Sequence, residues 1–284
     1  MTINAATQAT FPEARAVARR SLYLDEPEGG DLVDLLAARP ANITLLAEDP
    51  GVRGIAMGAV DGAKGHVDLL AVDPAHQRQG YGRQLLRALE EQLITAGARE
   101  LWIGGSVDRY AWPGVDVRYT PALCLIEAAG YRKVQDAVNM TVDLRTAPLD
   151  TAAPPGLDVR RLDPSERDAF AAWMTRWGGS WPAEAGRAAA FDVPRVHVAS
   201  DETGYLGFAA HGANRAGWFG PMGTDEAARG RGIGAVLLRR CLADQRDAGL
   251  THAEIGWVGP VPFYSKAVGA YVDRVCWLYR RDIS

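Results

Sequence analysis

The sequence has little cysteine and no long apolar run. Its three cysteines, Cys124, Cys241 and Cys276, are too few and too scattered for a disulfide framework, and no CxxC pair indicates a zinc site. No stretch of about eighteen apolar residues is free of charge, and the first residues lack the apolar core of a signal peptide. We therefore expect a cytoplasmic protein that neither spans a membrane nor is exported by that route.

An excess of positive charge is also absent. The chain carries 31 basic and 35 acidic residues, a net charge of −4, so it has no basic excess to hold nucleic acid or an anionic membrane. No histidine spacing suggests a metal site. What is present is a globular composition, with 48% apolar and 23% charged residues.

A repeated segment divides the chain in two. The 26 residues that start at Gly80 align without a gap to those that start at Gly232, at a constant offset of 152 residues. Between the copies, residues 144–158 contain three prolines and little apolar periodicity, which is a linker composition. This pattern predicts an N-terminal domain at 1–147 and a C-terminal domain at 155–284.

The second copy reads as the element order βααβββαβαβ. Apolar periodicity and turn residues predict strands at 157–162, 195–200, 205–211, 218–223, 253–258 and 270–280, and helices up to 177 and at 182–191, 232–248 and 261–267. The first copy repeats this order from Ile43 onward, but its opening strand is not evident, which predicts a domain trimmed at its amino end. The fold class is α/β (α+β mixed sheet): two tandem domains, each a mixed central sheet flanked by helices.

A glycine-rich loop opens the helix in each copy. Such a turn brings backbone N–H groups together at a helix N-terminus, where they can bind phosphate oxygens. One such loop is equally well read as a tight connection, whereas two at the same point favour anion binding. A dinucleotide-binding fingerprint is a poor match, because one copy lacks the first glycine. The residues concerned are Gln77, Arg78, Gln79, Gly80, Tyr81 and Gly82 in the first copy and Arg229, Gly230, Arg231, Gly232, Ile233 and Gly234 in the second.

These loops resemble the acetyl-CoA loop of the GCN5-related N-acetyltransferases (GNAT family), through the pattern Q/R-x-x-G-x-G. The element order matches that family, and residues 263–270 are similar to its late F-Y-x-K-x-G-F element. The family pattern occurs once in each copy, and the two copies together cover nearly the whole chain. It implies tandem acyl-CoA N-acyltransferase domains that use acetyl-CoA as co-substrate and no metal.

The resemblance also implies roles for individual residues. It assigns the thioester carbonyl contact to a backbone N–H near Met222 and the general acid to Tyr264, a phenol that is protonated at neutral pH. The first copy has Ile126 where the tyrosine belongs. We therefore expect the C-terminal domain to be catalytic and the N-terminal domain to be non-catalytic or supporting, unless the Gly105–Thr120 insert supplies the missing group from Tyr110, Asp116 or Tyr119.

The base and the acceptor are less well specified. Glu254 is the best carboxylate for a general base, with His252 on the same strand face, although either could be an edge residue in solvent. Trp177, Trp181 and Trp257 are candidate substrate residues, with core packing as the alternative.

The expected activity is transfer of an acetyl group to the primary amine of a small molecule, such as glucosamine. The chain resembles glucosamine/glucosaminide N-acetyltransferases and, as a rival, mycothiol synthases; an aminoglycoside or other amine is another acceptor. A non-catalytic CoA-binding sensor or scaffold and a peptide acetyltransferase are the remaining alternatives. We expect a monomer or homodimer.

Overall fold

The computed structural model describes residues 1–25, 28–106 and 109–283. The first half of the chain forms β1 (Thr2–Ala5), α1 (Phe11–Ser21), α2 (Gly29–Ala37), β2 (Ile43–Glu48), β3 (Val52–Asp61), β4 (Lys64–Val72), α3 (Tyr81–Thr95), β5 (Glu100–Ile103), β6 (Val115–Asp116), α4 (Thr120–Ala128) and β7 (Arg132–Asp143). The second half forms β8 (Asp158–Arg161), α5 (Arg167–Met174), α6 (Trp181–Ala189), β9 (Val196–Asp201), β10 (Gly204–His211), β11 (Trp218–Thr224), α7 (Ile233–Asp247), β12 (His252–Ile255), α8 (Val261–Val268) and β13 (Tyr271–Asp282).

The chain forms two compact units. Unit 1 comprises Met1–Ala137 and Cys276–Ser284, and unit 2 comprises Val138–Val275. These ranges differ from the predicted 1–147 and 155–284 at both closing strands. The last residues of β7 pair with β12, so they belong to unit 2; the last residues of β13 pair with β5, so they belong to unit 1. Each sheet is thus completed by a strand from the other half of the sequence.

The sheets of the two units have the same topology. Unit 1 has the order β1-β2-β3-β4-β5 followed by the end of β13, and unit 2 has β8-β9-β10-β11-β12 followed by the end of β7. The fourth and fifth strands are parallel in both units, whereas the other neighbours in these orders are antiparallel. The predicted mixed sheet is therefore confirmed.

The start of unit 1 is more complete than its sequence indicates. β1 pairs with β2 from Thr2 to Ala5, and two helices follow it, as they follow β8 in unit 2. The opening strand has only four residues and mostly exposed side chains, so it has no alternating apolar pattern that a sequence reading could detect. The expectation of a trimmed domain was wrong.

The repeated helices α3 and α7 pack on the sheets through one apolar face. α3 buries leucines spaced three or four residues apart, and α7 buries a comparable set. Each fully buried leucine contributes roughly 2 kcal/mol to stability. Both helices end before a left-handed glycine, Gly97 (φ 106°) and Gly249 (φ 91°). These helices hold the glycine loops rigidly against the sheets.

Two sequence predictions need correction at unit 2. The strand predicted at 253–258 ends at Ile255, because Trp257 adopts a left-handed φ of 49° that extended backbone does not allow. The first helix of unit 2, α5, ends at Met174, before the predicted residue 177. Among the described residues, no helix is long and apolar enough to cross a membrane.

Candidate functional site

The two glycine loops have the same backbone conformation. Gly80 and Gly232 precede α3 and α7 with left-handed φ angles of 93° and 81°. Two residues earlier, Arg78 (φ 64°) and Gly230 (φ 80°) are also left-handed. Because an arginine rarely adopts this conformation, its presence at Arg78 indicates that the loop imposes one shape in both units.

Both loops leave backbone amides available for an anion. The first backbone hydrogen bond at α3 runs from Gln84 to Gly80 (3.1 Å), and that at α7 from Val236 to Gly232 (3.3 Å). The amides before these donors have no acceptor within the helix, and the helix dipole adds positive potential there. A Cβ added at Gly230 would meet nothing within 4 Å. The loops therefore fit the pyrophosphate of a CoA ester.

Some loop side chains have other partners. Gln77 donates a hydrogen bond to the Val72 carbonyl (3.1 Å), and the hydroxyl of Tyr81 donates to Asp49 (3.0 Å). Ile233 is buried in the core of unit 2. These three side chains shape the loops, so only their backbone is available to a ligand. Exposed side chains around the loops are those of Arg78, Gln79, Arg83, Arg229 and Arg231.

Two of these arginines form long ion pairs at the surface. Arg229 lies 3.6 Å from Glu226, and Arg231 lies 3.5 Å from Asp201. Exposed pairs of this kind contribute about 0 to 1 kcal/mol. Both guanidinium groups can therefore turn toward a phosphate at little cost.

In each unit the fourth strand separates from the fifth at a bulge. β4 pairs with β5 up to Val67, and β11 pairs with β12 up to Phe219. In β4 the residues Val67 and Leu69 face consecutive residues of β3, which leaves Asp68 as the inserted residue. At the repeat offset, Gly220 takes this place in unit 2. The bulge opens a gap between the two strands in which a ligand can lie.

The backbone of Met222 faces this gap in unit 2. The amide of Asp225 donates to the Leu206 carbonyl of β10 (2.8 Å). Hydrogen-bonded and non-hydrogen-bonded pairs alternate along an antiparallel ladder, so Met222, which faces Ala209, is a non-hydrogen-bonded position. Its N–H and C=O therefore point away from β10, toward the side where β12 has separated. An amide so placed can donate to a carbonyl bound in the gap.

The helix after the fifth strand contacts the glycine loop in the same way in both units. The ring of Phe263 lies 3.4 Å from a Cβ built on Gly234, and a Leu125 methyl lies 3.2 Å from one built on Gly82. These glycines correspond in the repeat, so Phe263 and Leu125 correspond too. The next residue is a tyrosine in α8 and an isoleucine in α4.

Tyr264 lies at the point where β11 and β12 separate. Its ring packs edge-on against Phe219, the last β11 residue paired with β12, with centroids 6.2 Å apart. Tyr264 is 7% exposed, and burial raises the pKa of its hydroxyl to about 12. The phenol therefore keeps its proton at neutral pH. In unit 1 the corresponding Ile126 is buried in the core and has no proton to give.

Glu254 is held by other side chains of unit 2. Its carboxylate accepts hydrogen bonds from Asn139 Nδ2 (2.6 Å) and Trp218 Nε1 (2.9 Å), and Arg274 Nε lies 3.8 Å away. Asn139 also accepts a hydrogen bond from the amide of Trp257 (2.8 Å). This network positions the loop after β12 and holds the Glu254 carboxylate in one orientation. His252 is exposed and lies beside Thr251.

An aromatic cluster covers β10 and β11 in unit 2. Trp177 contacts Trp181 (centroids 5.4 Å apart) and Phe208 (5.6 Å). Its ring also lies 2.6 Å from a Cβ built on Gly223, so only glycine fits beneath it. The indole Nε1 of Trp177 is buried without a hydrogen-bond partner. Trp177 and Trp181 are half-buried and are thus both core residues and available as one wall of a substrate site.

Unit 1 contains a cavity of about 710 Å³. It runs from Arg78 and Gly82 in the glycine loop, along residues 68–72 of β4, to Tyr110 and Tyr119 in the segment after β5. This volume lies within the range of small-molecule sites. The cavity therefore connects the anion-binding loop of unit 1 with its strand gap.

Asp68 lies on the wall of this cavity. Arg39 Nη1 donates to its carboxylate (2.8 Å) and to Ser106 Oγ (2.6 Å), and the side chains of Arg39 and Asp68 are 4% and 3% exposed. Burial raises the pKa of Asp68 to about 7, against the lowering effects of Arg39 and Ser106. A carboxyl group near half-ionisation thus lies at the strand gap of unit 1.

The insert of unit 1 supplies aromatic and acidic groups to the cavity. The hydroxyl of Tyr119 accepts a hydrogen bond from the Leu24 amide (3.2 Å), and Asp116 accepts two from the Arg118 guanidinium (2.9 and 2.7 Å). Tyr110 is 8% exposed. All three proposed insert residues line the cavity, and Asp116 forms an ion pair with Arg118 (2.7 Å).

Comparison with known proteins identifies the family. The model of the Acetyltransferase (GNAT) family matches residues 7–111. A mycothiol acetyltransferase of Thermomonospora curvata is 30% identical over 238 residues, 77% of this chain and 74% of the relative. The chain belongs to the GNAT acetyltransferase family. It is therefore an acetyltransferase of GNAT type, and that family uses acetyl-CoA as its donor.

Solved structures show the same fold along the whole chain. The GCN5-related glucosamine N-acetyltransferase region of a fungal multi-domain GH3 β-N-acetylglucosaminidase matches with a TM-score of 0.80 and 20% identity, over 99% of this chain and 38% of that one. A tandem GNAT protein from the clavulanic acid biosynthesis pathway matches with a TM-score of 0.75 and 18% identity, over 99% of this chain and 98% of that one. The predicted tandem GNAT architecture is confirmed.

Sequence reasoning missed two groups of polar residues. Asp68 and Arg39 are 29 residues apart, and no local pattern pairs them. The buried cluster of His197, His211 and Asp244 is equally scattered along the chain. A buried-strand pattern interrupted by a charged residue at Asp68 is the one signal that could have attracted attention. Among the described residues, no group of His, Cys, Asp and Glu is arranged to hold a metal ion.

Proposed function

We propose that this GNAT protein transfers the acetyl group of acetyl-CoA to the primary amine of a small molecule, with Tyr264 of unit 2 as the general acid. The observation that carries the proposal is the position of Tyr264 against Phe219, where β11 and β12 separate. A hydroxyl at this point can reach the sulfur of a thioester held in the gap.

The glycine loop of unit 2 binds the pyrophosphate through its amides, assisted by Arg229 and Arg231. The amide of Met222 donates a hydrogen bond to the thioester carbonyl and stabilises the negative charge that develops on its oxygen. The amine nitrogen attacks the carbonyl carbon and loses one proton to solvent, the C–S bond breaks, and the proton of Tyr264 goes to the departing sulfur. The phenol recovers a proton from solvent.

The acceptor is a small primary amine, with glucosamine as the first candidate. Trp177 and Trp181 form an aromatic wall of the kind that suits a sugar ring. A structural relative, the glucosamine N-acetyltransferase region of a fungal enzyme, supports this choice. The acceptor of the mycothiol acetyltransferases is the second candidate, favoured by two relatives of that name at 30% and 29% identity.

A thiol-release assay with acetyl-CoA tests the proposal. The acceptors are glucosamine, the acceptor of the mycothiol acetyltransferases, aminoglycosides, polyamines and amino acids, and acetylated product is identified by mass spectrometry. For the best acceptor, Tyr264→Phe should lower kcat at least about 100-fold. Tyr271→Phe, a change at an exposed tyrosine of unit 2, is the matched control and should have no effect.

Two outcomes contradict the proposal. Acetyl-CoA binding without thiol release for any acceptor would favour a CoA-binding sensor. Equal rates for Tyr264→Phe and Tyr271→Phe would remove Tyr264 from the chemistry. The pair Gly82→Val and Gly234→Val locates the donor sites, because each added side chain crowds the residues beside one glycine loop, Leu125 for Gly82 and Met222 and Phe263 for Gly234. Gly234→Val should abolish the Tyr264-dependent rate and Gly82→Val should leave it.

A further inference from the structure

Unit 1 has a connected cavity and a glycine loop, yet its α4 carries Ile126 where α8 carries the proton donor. At the bulge of the fourth strand the difference is reversed. Unit 1 has the ionisable residue Asp68 there, whereas the corresponding residue of unit 2 is Gly220. Each unit thus has an ionisable side chain near its strand gap, Asp68 from β4 in unit 1 and Tyr264 from α8 in unit 2.

We propose that unit 1 is a second acetyl-transfer site for a small primary amine, in which the carboxylate of Asp68 takes the proton of the attacking amine. This inference rests on the proposed function in one respect, namely that acetyl-CoA is the donor bound at the glycine loop. It does not depend on Tyr264.

The backbone beside Asp68 is arranged to hold a thioester. The amide of Asp73 donates to the Arg53 carbonyl of β3 (2.9 Å), so by alternation along the ladder the N–H of Leu70 points away from β3, toward the gap. Leu70 is two residues from Asp68, a distance of about 7 Å along an extended strand. A carbonyl held by Leu70 and an amine beside Asp68 would therefore be adjacent.

The surroundings of Asp68 suit a proton acceptor. Arg39 and Ser106 hold the carboxylate in one orientation, and Asp68 is among the residues that line the cavity. The pKa of about 7 leaves a substantial fraction of the carboxylate ionised at neutral pH, which is the state that accepts a proton.

The far end of the cavity indicates the class of acceptor. Tyr23, Tyr110, Trp112 and Tyr119 all contribute to its wall. Tyr23 and Tyr119 meet edge to face, with centroids 4.8 Å apart. Aromatic walls beside a carboxylate favour a cationic amine on an apolar or ring-shaped body. A primary amine of that kind would place its nitrogen at Asp68 and its body against the tyrosines.

The transfer balances without a further reactant. The nitrogen lone pair forms the C–N bond with the thioester carbonyl carbon, and the C–S bond breaks. The amine proton passes to Asp68 and then to solvent, and the CoA thiolate takes one proton from solvent. The products are the N-acetylated amine and CoA.

The test uses the full chain in a Tyr264→Phe background, in which unit 2 lacks its proton donor. Thiol release and acetylated product are measured over a panel of ring-bearing primary amines. The background protein should retain turnover with at least one amine, and adding Asp68→Asn should lower that kcat at least about 100-fold with little change in the KM for acetyl-CoA. Asp61→Asn, at an exposed position of unit 1, is the matched control.

A second variant separates catalysis from folding. Because Ser106 stabilises the ionised carboxylate, Ser106→Ala should raise the pKa of Asp68 and move the rising limb of the pH–rate profile from near 7 to higher pH. The charged group that faces Asp68 is Arg39, and His66, two residues earlier on β4, is neutral above pH 5 because burial lowers its pKa to about 4. The titration of the amine is the same for both proteins, so a shift reports on Asp68.

The outcomes distinguish the two proposals. No turnover in the Tyr264→Phe background, equal rates for Asp68→Asn and Asp61→Asn, or an unmoved pH limb in Ser106→Ala each overturns the inference and leaves the role of unit 2 intact. A further outcome is that Tyr264→Phe matches the wild type and that Asp68→Asn abolishes turnover. This outcome supports the inference and overturns the role of Tyr264.

Discussion

Units 1 and 2 share a sheet topology and a glycine loop but differ in the side chains at the strand gap. Unit 1 has Asp68 at the bulge and Ile126 in the following helix, whereas unit 2 has Gly220 and Tyr264. The retained loops present backbone amides, which any sequence that keeps the loop shape provides. The positions that diverge differ in their side chains, which change with a single substitution.

The cores behind the two loops differ as well. In unit 2 the Nε2 of His197 donates to Asp244 (2.7 Å), and His211 lies 3.3 Å from the same carboxylate. The corresponding residues of unit 1 are Leu45, the exposed Gln92, and Gly58, which pairs with Val67 as His211 pairs with Phe219. The His–Asp cluster of unit 2 thus has no counterpart at these positions of unit 1, and the comparison can be tested by variants at matched positions.

The largest stability effect is expected at Asp244. Burial alone would raise the pKa of this carboxyl, yet hydrogen bonds from His197 and His211 and the charge of Arg161 hold it well below its usual range. Asp244→Asn would remove the charged acceptor of the buried His197 and His211 and the counter-charge of Arg161, at a total cost of about 3 kcal/mol. Urea denaturation measures the loss. Gln92→Ala, at the matched exposed position of unit 1, should lower the free energy of unfolding by less than about 0.5 kcal/mol. Equal losses for the two variants would show that the two positions do not differ in their contribution to stability.

An acid-sensitive response of similar size is expected in unit 1. Burial lowers the pKa of His66 to about 4, against the raising effect of its hydrogen bond to the Gly104 carbonyl. Since the unfolded chain has a His pKa near 6.5, protonation favours unfolding. Stability contributed by neutral His66 is full above pH 6.5 and is lost as the pH falls to 4, by about 3 kcal/mol in total.

Thermal unfolding between pH 7 and pH 4 tests this response. His66→Gln should show a flatter dependence of Tm on pH than the wild type. His252→Gln, at an exposed histidine, should follow the wild-type curve. A His66→Gln curve parallel to the wild type would show that His66 does not carry the effect.

The smallest effect is expected from exchanging residues between the loops. Gly230→Arg should lower the free energy of unfolding by about 1 kcal/mol, because a side chain is strained at φ 80°. Arg78→Gly should change it by less, since relief of strain is offset by a more flexible unfolded chain. Calorimetry of both variants checks this, and a stabilising Gly230→Arg would show that the loops do not share one shape.

Much of the fold followed from patterns that are local in the sequence. The repeat offset located α3 and α7 to within one residue, and the glycines identified both loops. The candidate site was less accessible. Tyr264 carries a motif, whereas Asp68 acquires its proposed role from a bulge, an arginine after α2 and a serine after β5. Such groups are distant in sequence, so no spacing rule connects them.

The sequence determined the duplication, the element order and the two glycine turns, because periodicity and glycine positions act over a few residues. The exchange of closing strands, the engagement of Glu254 and the burial of Asp68 depend on which segments pair in three dimensions. Pairing brings together side chains that are tens of residues apart, and the resulting desolvation changes their pKa values. The proposed division of chemistry between the two units therefore depends on the fold.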